Sequence, residues 1–368
     1  MFEVLGFDEW LAPIGCAAHI LSFGESSSPK LAELLDHYRT MVILPTYLAP
    51  DQRRKIYKQK LKQILQNDPI TMEIDGVVHK FRYRSKAGDL PSSTATVKEA
   101  LELISTPADL HNIPPLLAGV VRAGHKLPLY YYSMFLRRAA AHNQLQLIMD
   151  CIKTVDRTGF KLNHSAIINE LLVYLQWPAI KSGWNEAKTK NALKQVRLIV
   201  NILESGKSHE PKGDNEGAFP YYRDPQVLGS RLHMAAARAV HLKEGKDDDG
   251  LVARFAQELV TLWPEDKGLL DLQPDESYQK GGPMRYLLDR NAYLFFASPV
   301  LNGLTLAAQV VDPALAMQLQ NRADAVEAEL QTALAAVEGQ EGRGVSIYNS
   351  LFNPEAEAGQ AAEGEEEA

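Results

Sequence analysis

The stretch GHKLPLYYYSMFLRRAAAHNQLQLIMDCIKTVDRTGFKLN, residues 124–163, decides how this chain is read. It opens on GHKL at 124–127 and comes round to GFKL at 159–162, 35 residues later. Between the two marks, Leu129, Tyr132, Leu136 and Ala139 recur at helical spacing. After the polar joint, Leu145, Ile148, Cys151, Ile152 and Val155 do so again. Each glycine suits the left-handed backbone that closes a helix. The stretch therefore predicts two antiparallel helices with a turn between them. Such a hairpin buries its inner stripe only by stacking on a neighbour, which is the logic of a repeat array.

The pattern extends in both directions. Toward the C-terminus, NHSAIINELLVYLQW and EAKTKNALKQVRLIVNILESG predict a second helix pair. ESGK at 204–207 is a degraded third mark, 47 residues after Gly159, and the excess predicts an insertion around 178–189. Helices follow in DPQVLGSRLHMAAARAVHLKEG, GLVARFAQELVTLWP, MRYLLDRNAYLFFAS and NGLTLAAQVV, with a long last helix in PALAMQLQNRADAVEAELQTALAAVEG. Toward the N-terminus, IPPLLAGVVRAG reads as a helix closed by Gly124. TVKEALELI reads as another, with Thr96 and Glu99 at capping-box spacing. Before a linker at 85–96, ITMEIDGVVHKFRYR alternates about Asp75-Gly76, a dipeptide suited to a two-residue hairpin turn. APDQRRKIYKQKLKQILQNDP predicts one helix from Asp51 to Gln66, with Ile56, Leu61, Ile64 and Leu65 as its apolar stripe.

The expected fold is mainly α, a solenoid of antiparallel helix hairpins with one small N-terminal β-hairpin. Its parts are an N-terminal segment at 1–50, a basic helix-plus-hairpin module at 51–86, a helical-repeat region at 97–206, a C-terminal helical region at 218–340 and an acidic tail at 355–368. The tail, EAEAGQAAEGEEEA, holds six Glu and no Lys or Arg, and such a composition is expected to be disordered.

The unit running from Leu129 to Asn163 resembles a pentatricopeptide repeat, with its early tyrosines, the Ala139 to Ala141 run and the Gly-x-Lys exit. The period also fits tetratricopeptide repeats, which bind proteins. In the pentatricopeptide family two positions per repeat read one RNA base, and the resemblance places them on Ser133 and Asn163. The bland reading of the pair is a helix-surface hydroxyl and a cap residue. In the next copy the first position falls on Ile168, which makes no such hydrogen bond. The stretch ILPTYLAPDQRRKIYKQKL ahead of these helices looks like fungal mitochondrial gene-expression proteins. That likeness implies RNA or the mitochondrial ribosome as partner, in organellar mRNA translation, stability or processing. The alternative is a protein-binding scaffold, such as a respiratory-complex assembly factor, holding subunits in its helical grooves.

Charge singles out another segment. Residues 52–86 carry ten Lys or Arg against Asp68, Glu73 and Asp75, a net of +7 in a chain whose net is −7. Cations offset phosphate charge, and interleaved aromatic faces stack on bases. The candidate RNA contacts are Arg53, Arg54, Lys55, Lys58, Lys62, Lys80, Arg82, Arg84 and Tyr83. Arg122, His125, Arg137 and Arg138 are possible extensions of that surface. The bland reading is a solvated helix face over a local core.

No phosphate-binding glycine loop, nucleophile elbow or HExxH motif occurs, so neither catalysis nor a cofactor is expected. Asp247-Asp248-Asp249-Gly250 lacks the further ligands of a calcium loop. His233 and His241 have no carboxylates at ligand spacing. Cys16 and Cys151 form no metal or disulfide pattern. No apolar run is long enough to span a membrane. Residues 1–29 hold no Lys or Arg, unlike a mitochondrial presequence, although the resemblance implies a mitochondrial location.

Overall fold

A computed structural model describes residues 20–74, 76–85, 88–206, 209 and 219–354. The expected acidic tail, most of the polar loop at 207–217, Asp75 and Lys86 lie outside the described residues. The structure is mainly helical, and contacts divide the chain into two compact units between Leu127 and Pro128.

The first unit begins with α1 (Pro29–Tyr38), started by Ser28, whose side chain accepts from the Leu31 N–H. A π-helical turn and a 3₁₀ turn carry the chain to Tyr47. The single helix expected over 51–66 is instead two, α2 (Pro50–Lys55) and α3 (Lys62–Asn67). The break follows from the hairpin. The Arg84 N–H donates to the Ile56 carbonyl at 2.9 Å, taking the acceptor that a continuous helix would use. The break also re-phases the apolar stripe, so Ile56 and Leu65 are buried while Ile64 is 60% exposed.

The hairpin itself forms as read. Strands β1 (Ile70–Ile74) and β2 (Val77–Phe81) pair antiparallel, with Ile70 opposite Phe81 and Ile74 opposite Val77. Gly76 takes a φ of +77°, as the two-residue turn requires. Ile74 and Phe81 join Leu44, Leu48, Ile56 and Leu65 in a local core. Helix α4 (Ser93–Leu103) starts at Ser92 rather than at the expected Thr96, which is buried. Asp109 then gathers N–H groups of Ser27, Ser105 and Thr106 and the hydroxyls of Ser27 and Thr106. These five donors outweigh burial and hold its carboxyl well below the usual carboxylate range. Helix α5 (Ile113–Arg122) closes as expected, with Gly124 at φ +79° and the His125 N–H reaching the Val120 carbonyl at 3.0 Å.

The second unit opens with the predicted helix hairpin. Helix α6 (Leu129–Ala141) packs on α7 (Leu145–Lys153), which a break at Thr154 separates from the short α8 (Val155–Thr158). Gly159 ends it at φ +68°. The buried stripe on α6 is Tyr131, Phe135, Leu136 and Ala139; of the expected stripe Leu136 and Ala139 are buried, Tyr132 is half-buried and Leu129 is exposed. Helices α9 (Ser165–Lys181) and α10 (Glu186–Ser205) form the next pair. They absorb the extra residues expected as an insertion, because α9 runs straight through Pro178. Helices α11 (Pro225–Leu242), α12 (Leu251–Leu262), α13 (Arg290–Ala308), α14 (Pro313–Ala336) and α15 (Arg343–Phe352) follow. Two expected helices merge in α13 across the buried Pro299, and α15 lies beyond the helix expected to be last.

Helix α9 is buried on nearly every face and packs on α6, α10, α11, α13 and α15. Glu170 on α9 accepts from Arg137 of α6 at 2.7 Å and from Arg343 of α15 at 2.8 Å. These contacts tie distant parts of the sequence together, beyond the nearest-neighbour packing of a simple array. Arg322 of α14 donates to the Val260 and Trp263 carbonyls, capping the end of α12.

Candidate nucleic-acid interface

The basic segment does not act as one surface. Arg84 is buried, and its guanidinium donates to the Thr40 and Met41 carbonyls, both at 2.9 Å. Burial pushes its pKa below the ordinary arginine range. It holds β2 to the turn after α1 and is withdrawn from any phosphate. Tyr83 is half-buried, with the Lys62 Nζ 5.9 Å from its ring centre. Lys55, Lys80 and Arg82 are exposed. The breaks in the expected helix scatter these cations over separate short elements.

Three cations do converge. Arg53 and Arg54 from α2 and Lys58 just after it line a groove of about 920 Å³ in the first unit. Met41, Val42, Leu48, Leu90 and Pro91 supply its apolar lining, and Tyr57 and His125 complete it. Among the described residues no carboxylate lines it. The nearest acidic partner is Asp51, 3.7 Å from Arg54, with both side chains largely exposed. Such a pair is weak and readily exchanged. The groove is thus a concave cationic surface with an apolar interior, suited to a polyanion that also carries flat apolar groups.

Of the suggested extensions, only His125 reaches the groove. Arg122 lies over the Tyr47 ring, 3.7 Å from its centre, and donates to the Thr46 hydroxyl. Arg137 is committed to Glu170 within the second unit. Arg138, Ser133 and Asn163 are half-buried there, and the Asn163 carbonyl accepts from the Tyr221 hydroxyl at 3.4 Å. Ile168 is fully buried.

The histidines and the aspartate run have structural partners. The His233 ring is fully buried between Gln176 and Asn302, and burial lowers its pKa to about 3. Asp249 accepts two bonds from Arg238. Among the described residues no cluster of three or more His, Cys, Asp or Glu is placed to hold a metal. No helix among them is long and apolar enough to cross a membrane.

A family model described as mitochondrial ribosomal protein mS27 matches residues 12–350. The chain belongs to that family. The small ribosomal subunit protein mS27 of Neurospora crassa is similar to it, 40% identical over 338 residues that cover 87% of this chain and 85% of the relative. Membership of the mS27 family makes the chain a mitochondrial ribosomal protein, with the ribosome as its partner. It decides between the two functional readings in favour of the ribosome over a respiratory-complex scaffold.

One further surface in the mS27 chain went unnoticed in the sequence. Lys190, Lys194 and Arg197 on α10, with Arg238 of α11, line a second cavity of about 430 Å³. The signal was present as cations spaced by four and three residues, which share a helix face. Residues 187–203 hold four Lys or Arg and no acidic residue, a smaller excess than the net of +7 at 52–86.

Proposed function

We propose that this mS27-family chain is a non-catalytic component of the small mitochondrial ribosomal subunit, and that it holds ribosomal RNA in the groove of its first unit. The observation that carries the proposal is the convergence of Arg53, Arg54 and Lys58 on one concave surface that, among the described residues, no carboxylate lines. Phosphate charge is the largest source of RNA affinity, and release of its counterions makes binding fall steeply with salt. Lys55, Lys62, Lys80 and Arg82, exposed on separate short elements of the same unit, add longer-range attraction. The proposed contact does not include Arg84, Ser133 or Asn163.

The helices from α6 to α10 are read as degenerate pentatricopeptide-like repeats. The 35-residue hairpin with glycines at φ +79° and +68° at its ends supports this. Burial of Ile168 speaks against a base-reading series, so the repeats serve as framework.

The test is the salt dependence of RNA binding by the full chain. Replacing Arg53, Arg54 and Lys58 by Ala is expected to reduce the slope of log affinity against log salt by about 2, the contribution of three single-strand phosphate contacts. An unchanged slope in the folded variant removes the groove from the contact.

A further inference from the structure

The groove is more than a charged face. Phosphates alone are met by cations on any exposed surface. Here the cations share one groove of about 920 Å³ with apolar walls from Met41, Val42, Leu48, Leu90 and Pro91. That volume is within the range of about 300–1,000 Å³ that encloses a small organic ligand. Apolar walls gain nothing from a phosphate, but the faces of a nucleobase are flat and apolar.

His125 is the second observation. It is exposed, directly after the turn that closes α5, yet its ring is anchored from below. Its Nδ1 shares a short hydrogen bond with the Ser93 hydroxyl. That hydroxyl is bonded in turn to the Tyr38 hydroxyl at 2.7 Å. Ser93 and Tyr38 are both buried, and Tyr38 belongs to the core of the first unit. A histidine serving only as a surface charge needs no such support. The chain of hydroxyls tethers the ring through Nδ1, leaving Nε2 as its other hydrogen-bonding atom, and His125 lines the groove.

We infer that this groove binds an unpaired nucleotide of RNA, its base against the apolar walls and His125, its flanking phosphates on Arg53, Arg54 and Lys58. The inference rests on the RNA-binding reading above and adds the form of the RNA. A paired base cannot enter, because its hydrogen-bonding edge and both faces are already occupied in the helix. Charge complementarity favours RNA over an apolar peptide. The apolar walls beside the cations favour it over an acidic one.

The experiment uses the full chain and two probes of equal charge, a short unstructured RNA oligonucleotide and the same backbone without its bases. The native oligonucleotide is expected to bind about tenfold more tightly than the abasic one, the effect of one well-stacked base. In H125A and in S93A most of that difference is expected to vanish while the salt slope stays as in the parent chain. H125Q, which keeps a hydrogen-bonding group, is expected to recover part of it. Thermal unfolding of S93A, whose hydroxyl is buried, separates loss of positioning from loss of fold. Equal affinity for the two probes, or a full difference retained in H125A, overturns the inference and leaves the phosphate contact standing. Equal affinity for a glutamate-rich peptide of the same charge also overturns it. Failure to bind either oligonucleotide at low salt overturns the RNA-binding reading as well.

Discussion

Arg82 and Arg84 are two residues apart and chemically identical, yet one faces water and the other reaches two backbone carbonyls from a buried position. Replacing Arg84 by Ala strands the Thr40 and Met41 carbonyls and is expected to destabilise the first unit by about 2–4 kcal/mol. Arg82→Ala is expected to change stability by less than about 0.5 kcal/mol. Denaturant unfolding of the two variants measures the difference, and equal midpoints would show that Arg84 is not structural. His233 sets a pH dependence. Its folded pKa of about 3 lies below the unfolded value, near ~6.5. The unfolded chain therefore takes up the proton first as pH falls. The stabilisation is complete above pH ~6.5 and is lost progressively as pH drops toward the folded value. His209, lowered chiefly by burial and accepting the Leu162 N–H at Nδ1, acts in the same direction. A melting temperature that falls between pH 7 and pH 5, and falls less in His233→Leu, is the expected result. The roles of these residues were not legible in sequence, because side-chain type alone does not tell a cation that faces water from one that fills a carbonyl pair.

At the scale of elements, local signals worked where the cause was local. The hairpin followed from alternation and one glycine turn, and the ends of α5 and α8 followed from glycines that adopt positive φ. The breaks that failed had distant causes. Arg84 interrupts the basic helix from 28 residues away, through the Ile56 carbonyl. The expected helices ended just before Pro178 and Pro299, yet the packing of α9 and α13 on several neighbours carries both helices through. Close packing also has a cost that can be measured. A Cβ placed on Gly119 of α5 would stand 2.4 Å from Ile43 Cδ1. Gly119→Ala is expected to destabilise the first unit by about 1–3 kcal/mol through overpacking, despite the better helix propensity of alanine. A urea midpoint equal to or above that of the parent would contradict the fit at this crossing.

Across the whole molecule, the resemblance to fungal mitochondrial gene-expression proteins pointed to the ribosome as partner before any geometry was known, and the family match agrees. The net of +7 over 52–86 marked the segment that contributes three groove cations. The other groove residues, from Met41 to His125, are spread over the first unit, and no sequence window could have joined them. The family match identifies a mitochondrial ribosomal protein. The groove gives that role a proposed point of attachment. Ultraviolet cross-linking of intact mitochondrial small ribosomal subunits, followed by mass spectrometry of the RNA-linked peptides, tests this most directly. Cross-links from ribosomal RNA to peptides containing Tyr57 or His125 are the predicted result. RNA-linked peptides confined to the second unit, with Tyr57 and His125 recovered free of RNA, would contradict it.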